Sequence, residues 1–177
     1  MFIRAFSVKS LVKFSPITII LFAICLFVLV QTGCDHGLAP VAAPPYGISG
    51  TIHFTNWPPA DSIKDLRVVI FKSYPPQNIV TDVLNGKARY TDELLPYAAS
   101  SINYTLTLPP LAPGTYEYLV VAQRYGTDVF NDWRVVGEYG FPADSLHPAS
   151  IFIPGNEILH NINMNVDFQH LPPQPGE

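Results

Sequence analysis

GISGTIHFT, residues 47–55, sets Ile48, Gly50, Ile52 and Phe54 against Ser49, Thr51, His53 and Thr55. A period of two is that of a half-buried β-strand, one face in a core and the other in water. INYTLTL (102–108) repeats it with Ile102, Tyr104, Leu106 and Leu108 against Asn103, Thr105 and Thr107. NINMNVDF (161–168) does so with Ile162, Met164, Val166 and Phe168 against Asn161, Asn163, Asn165 and Asp167. Three such alternations point to antiparallel sheet with one wet face.

LRVVIFK (66–72) and YEYLVVAQRY (116–125) are apolar on both sides and rich in β-branched and aromatic residues, as strands buried on two faces are. DWRVVGEYGF (132–141) and ASIFIP (149–154) are further strand candidates. Proline-rich joints separate them, NWPPAD, SYPPQ, LPPLAPG and GFPADSLHPAS, where a fixed φ and a missing donor stop a ladder. Beyond residue 33 the longest helical pattern is TDELLPYAAS (91–100), which Pro96 interrupts. The expectation is an all-β domain over 47–169, a single seven- or eight-stranded antiparallel Greek-key sandwich, followed by a disordered tail at 170–177.

The opening segment reads differently. Arg4, Lys9 and Lys13 precede a run of 14 residues, Ile17 to Val30, that is apolar except for Thr18, and no acidic residue occurs before Asp35. A spanning helix needs about 20 apolar residues, whereas a positive start, a shorter apolar run and then small residues make a secretory signal. Extension back to Phe14 would reach the lower edge of the spanning range, so a retained membrane anchor is the alternative. Thr32 and Gly33 before Cys34 resemble the lipobox of bacterial lipoproteins, although Gln31 stands where that family usually has leucine. The resemblance implies cleavage ahead of Cys34 and acylation of that cysteine, after a signal helix and signal peptide at 1–33. Cys25 would leave with the signal, so Cys34 would have no disulfide partner, and lipidation accounts for an odd cysteine in an exported chain. Each buried methylene contributes about 0.8 kcal/mol, so two or three acyl chains hold a protein to membrane lipid without a spanning helix. Residues 34–46, with Pro40, Pro44 and Pro45 among alanines, form a stalk.

Three of the 10 basic residues precede Cys34 and none of the 14 acidic ones does, which leaves seven against fourteen in the mature part. An acidic domain without basic clusters is repelled by phosphate backbones, so nucleic acid is not an expected partner.

LPPLAPGTYEYLVVAQRY (108–125), with Leu111, Pro113, Gly114 and Tyr116, resembles the signature of transthyretin-like domains, also called carboxypeptidase regulatory-like or prealbumin-like. YGISGTIHF resembles the first strand of that family, with Gly47 and Gly50 at its spaced glycines, and LHNINMNVDF its last. The middle, residues 78–100, departs from the pattern. The resemblance implies a Greek-key sandwich serving as an accessory, adhesive or stalk-like module.

Catalytic patterns are weak. GISG lacks the spacing of a nucleophile elbow, and DSLH (144–147) crowds Ser, His and Asp too closely for a triad to converge from separate elements. The five histidines are scattered, so neither a metal nor another cofactor is expected. The Asn161, Asn163, Asn165 and Asp167 row reads as a solvated strand face. If strands alternate up and down in chain order, loops 56–65, 84–101, 126–132 and 154–159 share one end. That end would gather Trp57, Asp61, Tyr90, Asp92, Glu93, Asp128, Phe130, Asp132 and Glu157. Aromatics beside carboxylates can stack on sugars and hydrogen-bond them. The competing reading packs Trp57 under its Pro58-Pro59 loop and leaves the acids solvated, with Trp133 in the core. Two functions follow as expectations: a lipid-anchored envelope module that binds another envelope protein, without enzymatic activity, or a glycan-binding module.

Overall fold

The computed structural model describes residues 44–141 and 147–176. The expected signal peptide, Cys34, most of the stalk, and Asp144 to Leu146 of the DSLH cluster lie outside the described residues. Ten strands follow in chain order: β1 (Gly47–Thr55), β2 (Asp65–Phe71), β3 (Ala88–Tyr90), β4 (Ser101–Thr107), β5 (Gly114–Tyr116), β6 (Tyr118–Arg124), β7 (Trp133–Glu138), β8 (Ile151–Ile153), β9 (Ile158–Leu159) and β10 (Met164–Asp167). A helix, α1 (Ile79–Leu84), lies between β2 and β3. The described chain is therefore mostly β.

The main sheet is curled and runs β3-β2-β6-β7-β10-β1-β4, with β9 also beside β1 and β5-β8 as a separate pair. It is mixed rather than wholly antiparallel. β10 lies parallel to β1, Ile52 opposite Met164, and β9 is parallel to β1 as well. Parallel neighbours need a long crossover in place of a hairpin, and the whole domain between β1 and β10 supplies one.

The inward residues of β1, Ile48, Ile52 and Phe54, share one core with Leu66, Val68 and Ile70 of β2, Leu119 and Val121 of β6, Leu106 of β4 and Met164 and Val166 of β10. β2 and β6 are buried on both faces, as their unbroken apolar runs require. Their outer residues Val69, Phe71, Tyr118, Val120 and Ala122 form a second cluster with Val135, covered by Tyr74 and by Ile79 and Val83 of α1. That helix is rich in β-branched residues, which stiffen χ1 and weaken helical propensity, so its sequence IVTDVL does not announce it. Its cap makes it: the Asn78 side chain accepts from the Val80 and Thr81 amides, each at 3.1 Å.

Two local contacts fix the frame. A Cβ on Gly50 would stand 1.9 Å from the Ile162 carbonyl oxygen, so only glycine allows that approach. Tyr116, buried, turns its hydroxyl back to donate to the Ala112 carbonyl at 2.7 Å, which locks the Pro113-Gly114 corner at the start of β5. The end of the chain, expected to be disordered from residue 170, is instead held in place. Leu171 packs on the main core, and the Gln174 amide accepts from Val135 N–H (2.8 Å) and donates to Val135 C=O (3.0 Å). β10 meets β7 only at Gly137, so a side-chain amide satisfies the strand edge that β10 leaves open.

Candidate functional site: the face around Trp133

Three of the four expected loops converge where β1 and β6 end. Lys64 N–H donates to Arg124 C=O, and Tyr97 Oη donates to Pro58 C=O. Loop 154–159 does not join them: Glu157 C=O accepts from Gly47 N–H at the start of β1, the opposite end. The reason is that β9, which follows this loop, runs parallel to β1 and pairs with its first residues, Gly47 and Ile48.

The converging loops do not bring their aromatic and acidic side chains into one cluster. Trp57 is half-buried, its ring centroid 4.8 Å from both Phe54 and Phe168 and 5.2 Å from Tyr97, and its Nε1 donates to Ala99 C=O at 2.9 Å. Trp57 is packed under its own loop, and its indole already has a hydrogen-bond partner. Tyr90 lies on the outer face between the guanidinium of Arg67 (5.0 Å) and that of Arg89 (5.8 Å). Asp92 is paired with Arg89 at 3.0 Å, while Asp61 and Glu93 are exposed on their loops.

Asp128 and Asp132 serve their own loop. Asp128 accepts from the Phe130 amide (2.8 Å), the Asn131 amide (3.2 Å) and the Asn131 side chain (2.8 Å). These bonds, the side-chain one foremost, hold its carboxyl below the usual aspartate range. Asp132 accepts from Asp128 N–H at 2.7 Å. The consequence is a stiff turn that pushes Val129 and Phe130 outward, 50% and 51% exposed.

Those two residues flank two adjoining depressions. A groove of about 520 Å³ is lined by Tyr125, Phe130, Trp133 and Arg134 on one side and by Gln77, Leu171 and Gln174 on the other. A second depression of about 310 Å³ lies beside it under α1, between Arg67, Tyr90, Arg124, Val83, Leu84 and Val129. Ile79 and Trp133 line both, so they form the shared wall. Trp133, expected in the core, is half-buried, and its Nε1 donates to Val129 C=O at 2.8 Å. Leu84 (74% exposed) and Tyr125 (44%) extend the apolar rim. Arg134 is held from behind: its Nε donates to buried Gln123 (2.9 Å), whose amide donates to Ser62 C=O (2.7 Å). The guanidinium sits 5.7 Å over the Tyr125 ring.

Sequence reading reached Phe130 and Tyr90 but missed Tyr125, Trp133 and Arg134 as groove residues. Alternation along β6 and β7 could have placed them near one another. The groove itself depends on α1 and the docked chain end, which periodicity does not reveal.

Other constellations offer less. Ser49 Oγ and His160 Nδ1 are 2.8 Å apart on the exposed face of β1, with no carboxylate bonded to that ring among the described residues. In the Asn161 to Asp167 row, Asn163 accepts from the Thr51 amide (2.8 Å). Asp167 accepts from Asn56 (2.7 Å) and the Gln169 amide (3.0 Å) and pairs with His170 (2.8 Å). The Asn56 bond, then the others, lowers the Asp167 carboxyl to about 2. Among the described residues no group of three or more His, Cys, Asp or Glu is placed to hold a metal ion, and no helix is long and apolar enough to cross a membrane. The chain matches no protein-family model, no curated protein and no solved structure.

Proposed function

We propose that this chain is an exported bacterial lipoprotein, tethered to membrane lipid by acyl chains on Cys34, whose folded part is a non-enzymatic module that binds another envelope protein. The observation that carries the docking role is the apolar face around Trp133. Leu84, Tyr125, Val129 and Phe130 stay exposed beside two adjoining depressions. Apolar groups displayed together, two of them on a turn held by its own carboxylates, mark a protein interface.

The folded part is, in this reading, a transthyretin-like Greek-key sandwich. The Tyr116 hydroxyl bonded back to Ala112 supports it, because that corner recurs where chains cross between the layers of such sandwiches. The parallel β1-β10 pairing is a departure from the common antiparallel pattern.

A second reading, a glycan-binding module, has one observation in its favour: Trp133, Tyr125 and Phe130 line a single groove with Arg134. Rings with an anchored guanidinium suit a sugar, although Trp57 no longer serves as its platform.

The test is photocrosslinking in native membranes, with a benzophenone amino acid in place of Phe130 and, as control, in place of exposed Asn165. Docking predicts one discrete protein adduct from position 130 and none from 165. The absence of any protein adduct at 130, together with retention of the chain on a polysaccharide column that Trp133→Ala abolishes, would replace the first reading by the second.

A further inference from the structure

β4 ends the sheet, and the main chain on its outer side is unpaired by any strand among the described residues. The pairing of β1 fixes which groups these are. Gly47 N–H donates to Glu157, Ser49 C=O accepts from Ile162, and Thr51 N–H donates to the Asn163 side chain, so these three residues turn away from β4. The alternate residues Ile48, Gly50, Ile52 and Phe54 face β4, and Phe54 N–H donates to Ser100 C=O at 3.0 Å. Their register partners Ile102, Tyr104 and Leu106 are therefore occupied. Asn103, Thr105 and Thr107 direct their amides and carbonyls to the open side. At one end Arg89 Nε caps the Thr107 carbonyl at 3.4 Å, bridging from β3.

Because the sheet curls, this edge looks across a groove of about 510 Å³ toward residues 91–96. That far wall is fixed to β2 by Thr91 N–H on Val68 C=O (3.0 Å) and Leu95 N–H on Leu66 C=O (2.9 Å). The two ends of one sheet thus stand apart with a slot between them. A row of donors and acceptors repeating every two residues, ~6.8 Å, is complemented by another extended backbone.

We propose that the β4 edge takes up an extended peptide strand from a partner, one that alternates lysine or arginine with apolar residues. Leu94, Leu95 and Ile102 line the slot for the apolar positions. Asp92 and Glu93 line it for the cationic ones: Asp92 is shared with Arg89, and Glu93 makes no ion pair among the described residues. A second copy of this chain fits less well, because its β4 carries no cation and would bring another Asp92 and Glu93 against the first pair. This site is separate from the Trp133 face and does not depend on docking there.

The probe is acetyl-Lys-Val-Lys-Val-Lys-Val-Lys-amide, added to the 15N-labelled full chain in detergent. The Asn103 and Thr105 amide signals are expected to shift, and their exchange to slow at least tenfold at saturation. The same peptide N-methylated at alternate residues should leave them unchanged, and glutamate in place of lysine should weaken binding at least tenfold. Thr105→Pro removes one outward donor at an edge position that tolerates proline, and should weaken binding tenfold with the fold intact, whereas Thr105→Val should bind like the parent. If Thr105→Pro unfolds, the N-methylated peptide decides. The proposal is overturned if the N-methylated peptide binds equally, if the shifts fall at Trp133 instead, if no amide of β4 responds at millimolar peptide, or if these amides are already protected in a dimer without peptide.

Discussion

The indole of Trp57 lies 4.8 Å from the ring of Phe168, so the aromatic residue just after the last strand closes over the tryptophan just after the first. With Phe54 and Tyr97 they form one aromatic cluster that ties both ends of the domain together. Phe168→Ala should lower stability by about 2 kcal/mol, below the full cost of a buried Phe deletion because both rings are only half-buried. Thermal melts measure it. Partner crosslinking at residue 130 should persist below the lowered melting temperature, since the cluster supports the fold and touches no depression of the Trp133 face.

Gly50→Ala should cost more than 2 kcal/mol, on the order of a severe core defect, because its new carbon would meet the Ile162 carbonyl. The neighbour is backbone and cannot rotate aside. Gly86→Ala is the matching control: a Cβ there meets no atom within 4 Å, so only the strain of its positive φ of 67° remains. Denaturant midpoints of the two variants should separate clearly.

Glu138 is 4% exposed, its Oε1 has no hydrogen-bond partner among the described residues, and burial raises its carboxyl from 4.5 to about 7. The folded chain therefore holds this proton more tightly than the unfolded chain. The contribution is fully present below about pH 4.5, and it is lost as pH climbs through about 7. Glu138→Gln should be more stable than the parent at pH 8 by ~1–2 kcal/mol, with the advantage vanishing near pH 4. Equal melting curves at both pH values would refute the buried, ionisable role.

Phe130→Asp and Val129→Asp replace exposed side chains, so melting should change by no more than about 0.5 kcal/mol. Partner capture through a crosslinker moved to Tyr125 should fall at least tenfold, about 1.4 kcal/mol. Retained capture would remove the Trp133 face as the docking surface.

Much of this fold was legible because burial imposes a period. GISGTIHFT became β1 residue for residue, and the doubly apolar run at 66–72 became β2 with both faces covered, while the run at 116–125 is split, Tyr116 closing β5 in the separate pair and Tyr118–Arg124 forming β6. What escaped depends on contacts between distant segments. The parallel β1-β10 pairing leaves no local mark, since Met164 and Val166 alternate identically in either direction. NINMNVDF yields only Met164–Asp167, because Asn161 adopts a left-handed φ of 64° and breaks the ladder. The candidate site was half visible: loop composition marked Phe130, but α1 and Gln174, which build the walls, are held by a cap and a side-chain amide that hydrophobic periodicity cannot register.

Mass spectrometry of the native chain extracted from membranes tests the tethered-module reading most directly. The predicted amino-terminal peptide begins at Cys34 and carries two or three fatty acyl chains. An unmodified amino terminus elsewhere, or a chain that retains the apolar run Ile17 to Val30, would contradict it.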